Sequence, residues 1–590
     1  MTTLNINGQD YPILPTRSGL GYTVLQSGQE LVETFDGTWA LGCGYTKKRG
    51  PFAGYYYSDG WDATDPAYLR LRPSTSSLTI TGSLGPTYWF EDASGDGTNF
   101  LYMVRNNQRV KINTSAFTLE NDGTFPANSD VGHPALFETK HYLPLGASVD
   151  FQELTTVGNP TVADTFGSAG GSMRALHFAS FQDKGTARLA RGYSTNLIAT
   201  AATAPLTAAN WSSPGLECGD TSLAISDMVN HDGLLRVAKP DGLYDFDGLA
   251  FQQILPGLIR HEGLSADIGT GTYPYGALLF YPFLAGVLWR LFGQRKRPVG
   301  PDTLEQFADM SNVTSIRLGQ HYEMAGLGAW LHNIYGNYWA AAFIEEDGIS
   351  LRWHTLENLA SRGMYIASDG TMYTATATTI FKLALAADGS TNTALGSNRG
   401  AASSTFDIFF YKWDHGLPNE QKQLTKIVTR TLSFPGSATA SLQPRIHRDE
   451  GAAENVGSAI TTNTLSENTW TAGTSDLYYE AMLSLRLTTT AGYAPTTSDP
   501  RIIMMQVHSR SASIVQYTLE LTRARCREVN LTPTSALDNL RRLQNRQLVA
   551  VRQPGYDATH NIEVVDVRES LNDGGDGYTV VVLARRWEVP

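Results

Sequence analysis

Between about residue 80 and residue 400 one unit recurs along the chain, in imperfect copies. It is a short apolar strand, a turn rich in Gly, Asn and Asp, and a second strand carrying aromatics. The clearest copies are FLYMVRNNQRVKIN (Phe100–Asn113), LLRVAKPDGLYDFDG (Leu234–Gly248), LLFYPFLAGVLWRLFG (Leu278–Gly293), WAAAFIEEDGISLRWH (Trp339–His354) and GMYIASDGTMYTATATTIFKLAL (Gly363–Leu385). Turn pairs such as Asn-Asn or Asp-Gly supply the positive φ that a tight hairpin needs. A thin sheet made of such hairpins cannot bury its own two faces, so copies about 45–75 residues apart must stack around a common axis. The pattern predicts a mainly β fold whose residues 1–400 form a β-propeller of about six or seven blades. The alternative, a set of unrelated β-sandwiches, would share no hairpin consensus.

Composition agrees with many strands and turns. The 590 residues are 42% hydrophobic, 10% aromatic and 17% charged, with 56 Gly. The charged share lies below the roughly 25% of ordinary soluble domains, which argues against a coiled coil or a disordered chain. Formal net charge is −12. Residues 401–590 hold 19 basic and 20 acidic side chains, leaving 26 and 37 for the first 400. An acidic front part repels phosphate backbones, so nucleic acid is not an expected partner. The three cysteines, Cys43, Cys218 and Cys526, form no CxxC and read as free buried thiols.

The N-terminal MTTLNINGQDYPILP lacks the basic and apolar regions of a secretory signal. The apolar run Gly276–Trp289 contains Pro282 and falls short of the ~20 residues a membrane span needs. It reads as two buried strands, LLFYP and VLWRLF, around a Leu-Ala-Gly turn. A soluble protein made in the cytoplasm is the expectation.

After the Gly/Ser/Asn/Ala linker that ends near residue 400 the pattern changes, and residues 401–525 read as a β-sandwich. In SIVQYTLELTRAR, Val515, Tyr517, Leu519 and Leu521 take one face and Gln516, Thr518, Glu520 and Thr522 the other. Residues 526–590 read as a small α+β module. Its helix has Thr532 as N-cap, Pro533 at the first position and an apolar face of Ala536, Leu537, Leu540 and Leu543. Three antiparallel strands follow.

Chemistry is sparse. No nucleophile elbow, HExxH, Walker loop or dinucleotide fingerprint occurs, and no two of the 12 His stand at ligand spacing. Glu345, Glu346 and Asp347 at one hairpin tip, and Asp241, Asp245 and Asp247 around another, read as solvated turn residues rather than a glycosidase pair. Asp92, Ser94 and Asp96 alternate before Gly97. They read as a polar turn, with a calcium loop lacking its distal Glu as the alternative. No other cofactor is expected. Arg523, Arg525, Arg527, Arg541, Arg542 and Arg546 read either as a solvated helix face or as an interface for an acidic partner, such as another copy's front part.

FYKWDHGLPNEQKQLTKIVTRTLSF, with Trp413, Asp414, Gly416, Pro418 and Lys422, resembles the propeller-to-sandwich junction of tailed-bacteriophage tail proteins. Tyr55–Pro73, the Leu234–Gly248 hairpin and ALLFYPFLAGVLWRLFGQ with its following PVGPDTL are similar to segments of the same proteins, and the C-terminal module faintly resembles distal tail modules. The large propeller in front departs from a simple distal tail protein. The resemblance implies a non-enzymatic virion protein of the tail tip or baseplate, assembled in the host cytoplasm as a trimer or hexamer with other tail proteins. Its alternatives are a receptor-binding protein holding host glycans on Tyr55–Tyr57, Trp61, Tyr335 and Trp339, and a propeller glycan hydrolase or lyase. The resemblance supplies no catalytic residue.

Overall fold

The computed structural model describes residues 3–14, 23–41, 54–63, 65, 67–72, 74–83, 85–93, 99–156, 165–255, 268–275, 278–282, 288–292, 295–300, 316–324, 327–334, 338–344, 351–358, 363–367, 371–384, 399–435, 439–462, 465–469, 477–495, 498–544, 549–552, 559–572 and 575–586. The recurring hairpins form where turn chemistry places them. Asn99–Arg105 pairs antiparallel with Gln108–Asn113 through a turn in which Asn106 has φ 47°. At the tip between Asp227–His231 and Leu234–Lys239, Asp232 and Gly233 have φ 54° and 80°, the left-handed pair a two-residue hairpin requires. The apolar run at 276–289 is a hairpin of Leu278–Pro282 with Leu288–Phe292.

Seven four-stranded antiparallel sheets are built this way among the described residues. Six follow chain order, over 88–124, 135–168, 177–217, 227–253, 273–300 and 316–358, the second passing over Gly146–Asp150, which pairs with Arg174–Ala175 instead. The seventh joins Met364–Ile366, Thr371–Ala375 and Thr379–Ala384 to Thr75–Thr79, a strand that precedes all the others.

Side chains alternate between the two faces of each strand, so a sheet with two apolar faces needs a neighbour on both sides. Phe90, Tyr102 and Val104 of the first sheet pack with Leu143 and Leu154 of the second. Tyr142 and Phe151 meet Phe178, Leu189 and Trp211 of the third. Phe181 and Ile198 meet Met228, Val237 and Phe246 of the fourth, which in turn packs Val229 and Leu243 on Leu279 and Tyr281 of the fifth. Trp89, Leu101 and Val110 of the first sheet share a core with Tyr373 and Ile380 of the seventh. Sheets that stack in chain order from the first to the fifth, with the seventh packed on the first, make the fold mainly β and propeller-like.

The described residues among the first 72 do not join the propeller, to which the sequence assigns residues 1–400. Thr3–Ile6 pairs with Gln9–Pro12 and with Val549–Arg552, and Thr23–Gln26 pairs with Ser513–Thr522. All lie in one seven-stranded sheet at the end of the chain. Glu30–Phe35 pairs with Arg501–Ser511, and Tyr57–Asp59 with Thr405–Trp413, in the two sheets of the sandwich. The cause is burial. Phe35, Trp39, Tyr55, Trp61, Leu69 and Leu71 fill the sandwich core beside Phe410, Ile427 and Leu485, while Leu4, Ile6, Tyr11 and Ile13 complete the core of the terminal sheet. Ser513–Thr522, read as a sandwich strand, belongs to that terminal sheet as well.

Two helices cover one side of the terminal sheet's core. Arg523–Glu528, read as strand and loop from sequence, is a short helix because the Thr522 hydroxyl caps it by accepting from Arg525 N. Pro533–Leu543 is the predicted helix, with Ala536, Leu537 and Leu540 buried. Its N-cap Thr532 accepts from Ser535 N at 3.1 Å, and the Ser535 hydroxyl lies 2.9 Å from Thr532 N, which donates to it. Thr532→Ala is expected to lower stability by about 1 kcal/mol, measured as a shift in the urea midpoint with the slope unchanged.

Candidate functional site

The first strands of six sheets face a common space. Tyr88, Ala135, Phe178, Asp227, Pro274 and Tyr365, one from each, line a cavity of about 370 Å³. Its polar wall is a hydrogen-bonded cluster drawn from successive sheets. His133, in the segment leading into the second sheet, has Nδ1 2.8 Å from Asp227 Oδ1 at the start of the fourth. The His133 backbone N–H donates to His177 Nδ1 at 3.0 Å, and its carbonyl accepts from Phe178 N at 2.9 Å. Asp227 also accepts from Met228 N at 2.8 Å and, through Oδ2, from Gly271 N at 2.9 Å. One carboxylate thus fastens the segments that open the second, fourth and fifth sheets. Tyr88 packs beside both imidazoles, with ring centroids 5.7 and 6.3 Å away.

The Asp227 side chain is 1% exposed, whereas that of His133 is 39% exposed, toward the cavity it lines. Burial opposes charge on His133, but the Asp227 carboxylate and its hydrogen bond outweigh it and hold the imidazole pKa above its ordinary value. Burial likewise opposes charge on Asp227. The His133 charge and hydrogen bond, His177 and the Met228 N–H outweigh it and hold the carboxyl below its usual range. His177 accepts at Nδ1, so its neutral form carries the proton on Nε2.

Both shifts are stability statements. A raised histidine stabilises fully below the unfolded value of about 6.5 and loses this as pH rises through the folded pKa; a lowered aspartate stabilises above about 4 and loses it as pH falls. The propeller is therefore expected to be more resistant to heat near pH 5.5 than near pH 9, read as the fall in its thermal midpoint. His133→Gln should flatten the alkaline part of that dependence.

The candidates read from sequence lie elsewhere. Asp92, on Tyr88–Ala93, is 3.6 Å from His141 Nε2, while Ser94 and Asp96 lie outside the described residues. No group of three metal-ligating side chains occurs among the described residues. Glu345, Glu346 and Asp347 also lie outside them. Asp241 accepts from Asp220 N and the Tyr244 hydroxyl, at 2.8 and 2.7 Å. Asp245 pairs with Arg236 at 3.1 Å, and Asp247 caps its own turn by accepting from Leu249 N and Ala250 N.

Arg523, Arg527 and Arg542 are exposed, Arg525 pairs with Glu520 at 2.9 Å and Arg541 pairs with Glu569. Arg546 lies outside the described residues. Tyr55 and Trp61, expected on blade loops for stacking on sugars, are instead fully buried in the sandwich, because that core needs large apolar side chains. Tyr57 packs on Phe409 of the same sandwich, Trp339 lies in the sixth sheet, and Tyr335 is outside the described residues. The junction residues are structural. Gly416, at φ 74°, donates to Asp414, and buried Lys422 donates to the carbonyls of Leu417 and Tyr479 at 2.6 Å each. Burial and the Lys422 charge lower the neighbouring His415 pKa to about 4.

The His133–His177–Asp227 cluster was missed because its members stand 44 and 94 residues from His133, far beyond any local motif spacing. A signal did exist: polar titratable residues recurring near the sheet-to-sheet interval.

No family model matches the chain, and no curated protein matches it. Solved structures similar to it include a streptogramin B lyase (10% identity, 52% of this chain and 97% of that one, TM-score 0.37). Others are virginiamycin B lyase from Staphylococcus aureus (11% identity, 53% and 99%, TM-score 0.38) and a chain of the mitotic checkpoint complex (10% identity, 53% and 95%, TM-score 0.37). Likenesses this low carry no argument about what this chain does.

Proposed function

We propose that the chain is a non-enzymatic structural protein of a tailed-phage virion, placed at the tail tip or baseplate and acting by rigid assembly with other tail proteins. The observation that carries this reading is the way the propeller is mounted. Both ends of the chain fold together into the sandwich and the terminal sheet, and the propeller is an insertion between them. The strands leading in and out are tied at one point. Arg399, fully buried, donates through Nη1 to Asp62 at 2.8 Å and to the Leu71 carbonyl at 2.9 Å, and Gly400 N donates to the Arg72 carbonyl at 2.9 Å. A platform held at both ends suits a part that transmits force. The exposed Arg523, Arg527 and Arg542 beside the terminal sheet fit a contact with an acidic neighbour.

Mass spectrometry of purified virions tests the proposal. It expects the chain at fixed stoichiometry, in copies of three or six per particle; its absence from intact particles contradicts the assignment. A receptor-binding role is the second reading, favoured by the cavity at the propeller centre. It would show as retention of host surface glycan by the isolated chain.

A further inference from the structure

His415 sits in the loop between Thr405–Trp413 and Lys422–Leu432 of the sandwich, with a backbone φ of 55°. That left-handed conformation is costly for a residue with a ring, so something must hold it there. The ring itself does so. Its Nε2 lies 3.1 Å from Trp413 Nε1, which donates to it, and 3.2 Å from the Tyr478 hydroxyl. An indole N–H can only donate, so Nε2 accepts and the neutral imidazole carries its proton on Nδ1. Trp413 and Tyr478 are buried, and the buried Lys422 ammonium holds the same loop through the Leu417 carbonyl. A proton arriving on Nε2 would oppose the indole N–H and set a second cation beside Lys422.

We propose that the loop over residues 414–421 is an acid-operated latch: protonation of His415 at Nε2 breaks the bond from Trp413, expels the ring from its seat and frees the loop from the sandwich. Without its seat the ring no longer offsets the cost of the His415 backbone. The loop then keeps only short ties, from Gly416 N and Leu417 N to Asp414 and from Lys422 to Leu417. Release uncovers Trp413 and Tyr478 at the rim of the core. The titratable groups facing the ring are Lys422 on the following strand, Asp414 in the loop and Tyr478 on Leu477–Tyr478. Glu420 and Asp449 act in turn on Lys422, and Glu33 and Asp449 on Tyr478. Burial and Lys422 oppose charge on the ring and Asp414 favours it, which leaves the His415 pKa lowered to about 4. A lowered histidine stabilises fully above its unfolded value of about 6.5 and loses this as pH falls toward the folded one. The latch is therefore closed at neutral pH and opens in acid.

Nitrogen-15 NMR of the full chain with labelled tryptophan tests this. The Trp413 indole signal, assigned by its loss in Trp413→Phe, should move between about pH 6 and about pH 3 with a midpoint of about 4, while the other indole signals stay in place. Over the same range, cleavage after the exposed Glu420 by a glutamate-specific protease should rise at least about tenfold. Two variants separate His415 from the neighbouring carboxylate. His415→Asn, whose side chain suits a left-handed backbone and does not titrate, should abolish both changes, and Asp414→Asn should keep them. Should His415→Asn fail to fold, the indole signal of the unaltered chain still decides. A Trp413 signal that stays put, or that moves only together with all the other indoles, would overturn the proposal. So would an acid response that survives His415→Asn.

Discussion

Asp227→Ala is expected to destabilise the propeller by about 1–3 kcal/mol, the cost of leaving buried donors without their acceptor. The substitution leaves the His133 imidazolium without its counterion and the N–H groups of Met228 and Gly271 without an acceptor, at the point where several sheets meet. Against a domain stability of about 5–15 kcal/mol that is a large fraction. Asp227→Asn keeps an acceptor oxygen of the same reach and should cost markedly less. Thermal unfolding followed by near-ultraviolet circular dichroism separates the two variants. A neutral result for the alanine variant would mean that the cluster does not fasten the sheets.

Residues 401–590 expressed alone are expected to have no cooperative unfolding transition. The fragment would lack Phe35, Trp39, Tyr55, Trp61, Leu69 and Leu71 from the sandwich core, and Leu4, Ile6, Tyr11 and Ile13 from the other. Each large side chain contributes about 1.5–3 kcal/mol on burial, so their joint loss exceeds the stability of an ordinary domain. The fragment also exposes the edge of Ser513–Thr522 that Thr23–Gln26 covers, and unpaired edges invite aggregation. Adding a peptide of residues 1–72 should restore structure. If the fragment alone melts sharply, the N-terminal strands are ornaments rather than core.

What could be read from the sequence was what is local. Turn pairs such as Asn106-Asn107, the period-2 strand Val515–Leu521 and the Thr532-Pro533 cap act within a few residues, and each forms where its chemistry puts it. The pairing of the chain ends was not legible. The contact of Gly28 N with the Ser513 hydroxyl spans 485 residues, and a four-residue strand such as Thr3–Ile6 carries no mark of its distant partner. Tyr55 and Trp61 misled for a related reason. In a Gly- and Asp-rich stretch they look like surface aromatics, and only the core supplied by remote strands shows that they are buried. The cavity cluster was hidden in the same way, since it exists only after the sheets are stacked.

Excising the propeller tests its mounting most directly. In the full chain Gly400 N donates to the Arg72 carbonyl at 2.9 Å, so residues 1–72 can be joined to 399–590 through a flexible linker of about four residues. The joined chain is expected to be monomeric or cleanly oligomeric in solution, with a single sharp thermal transition and dispersed amide resonances. A molten or aggregated product would show instead that the sandwich and terminal sheet depend on the propeller, and that the propeller is not an insertion held by a self-sufficient base.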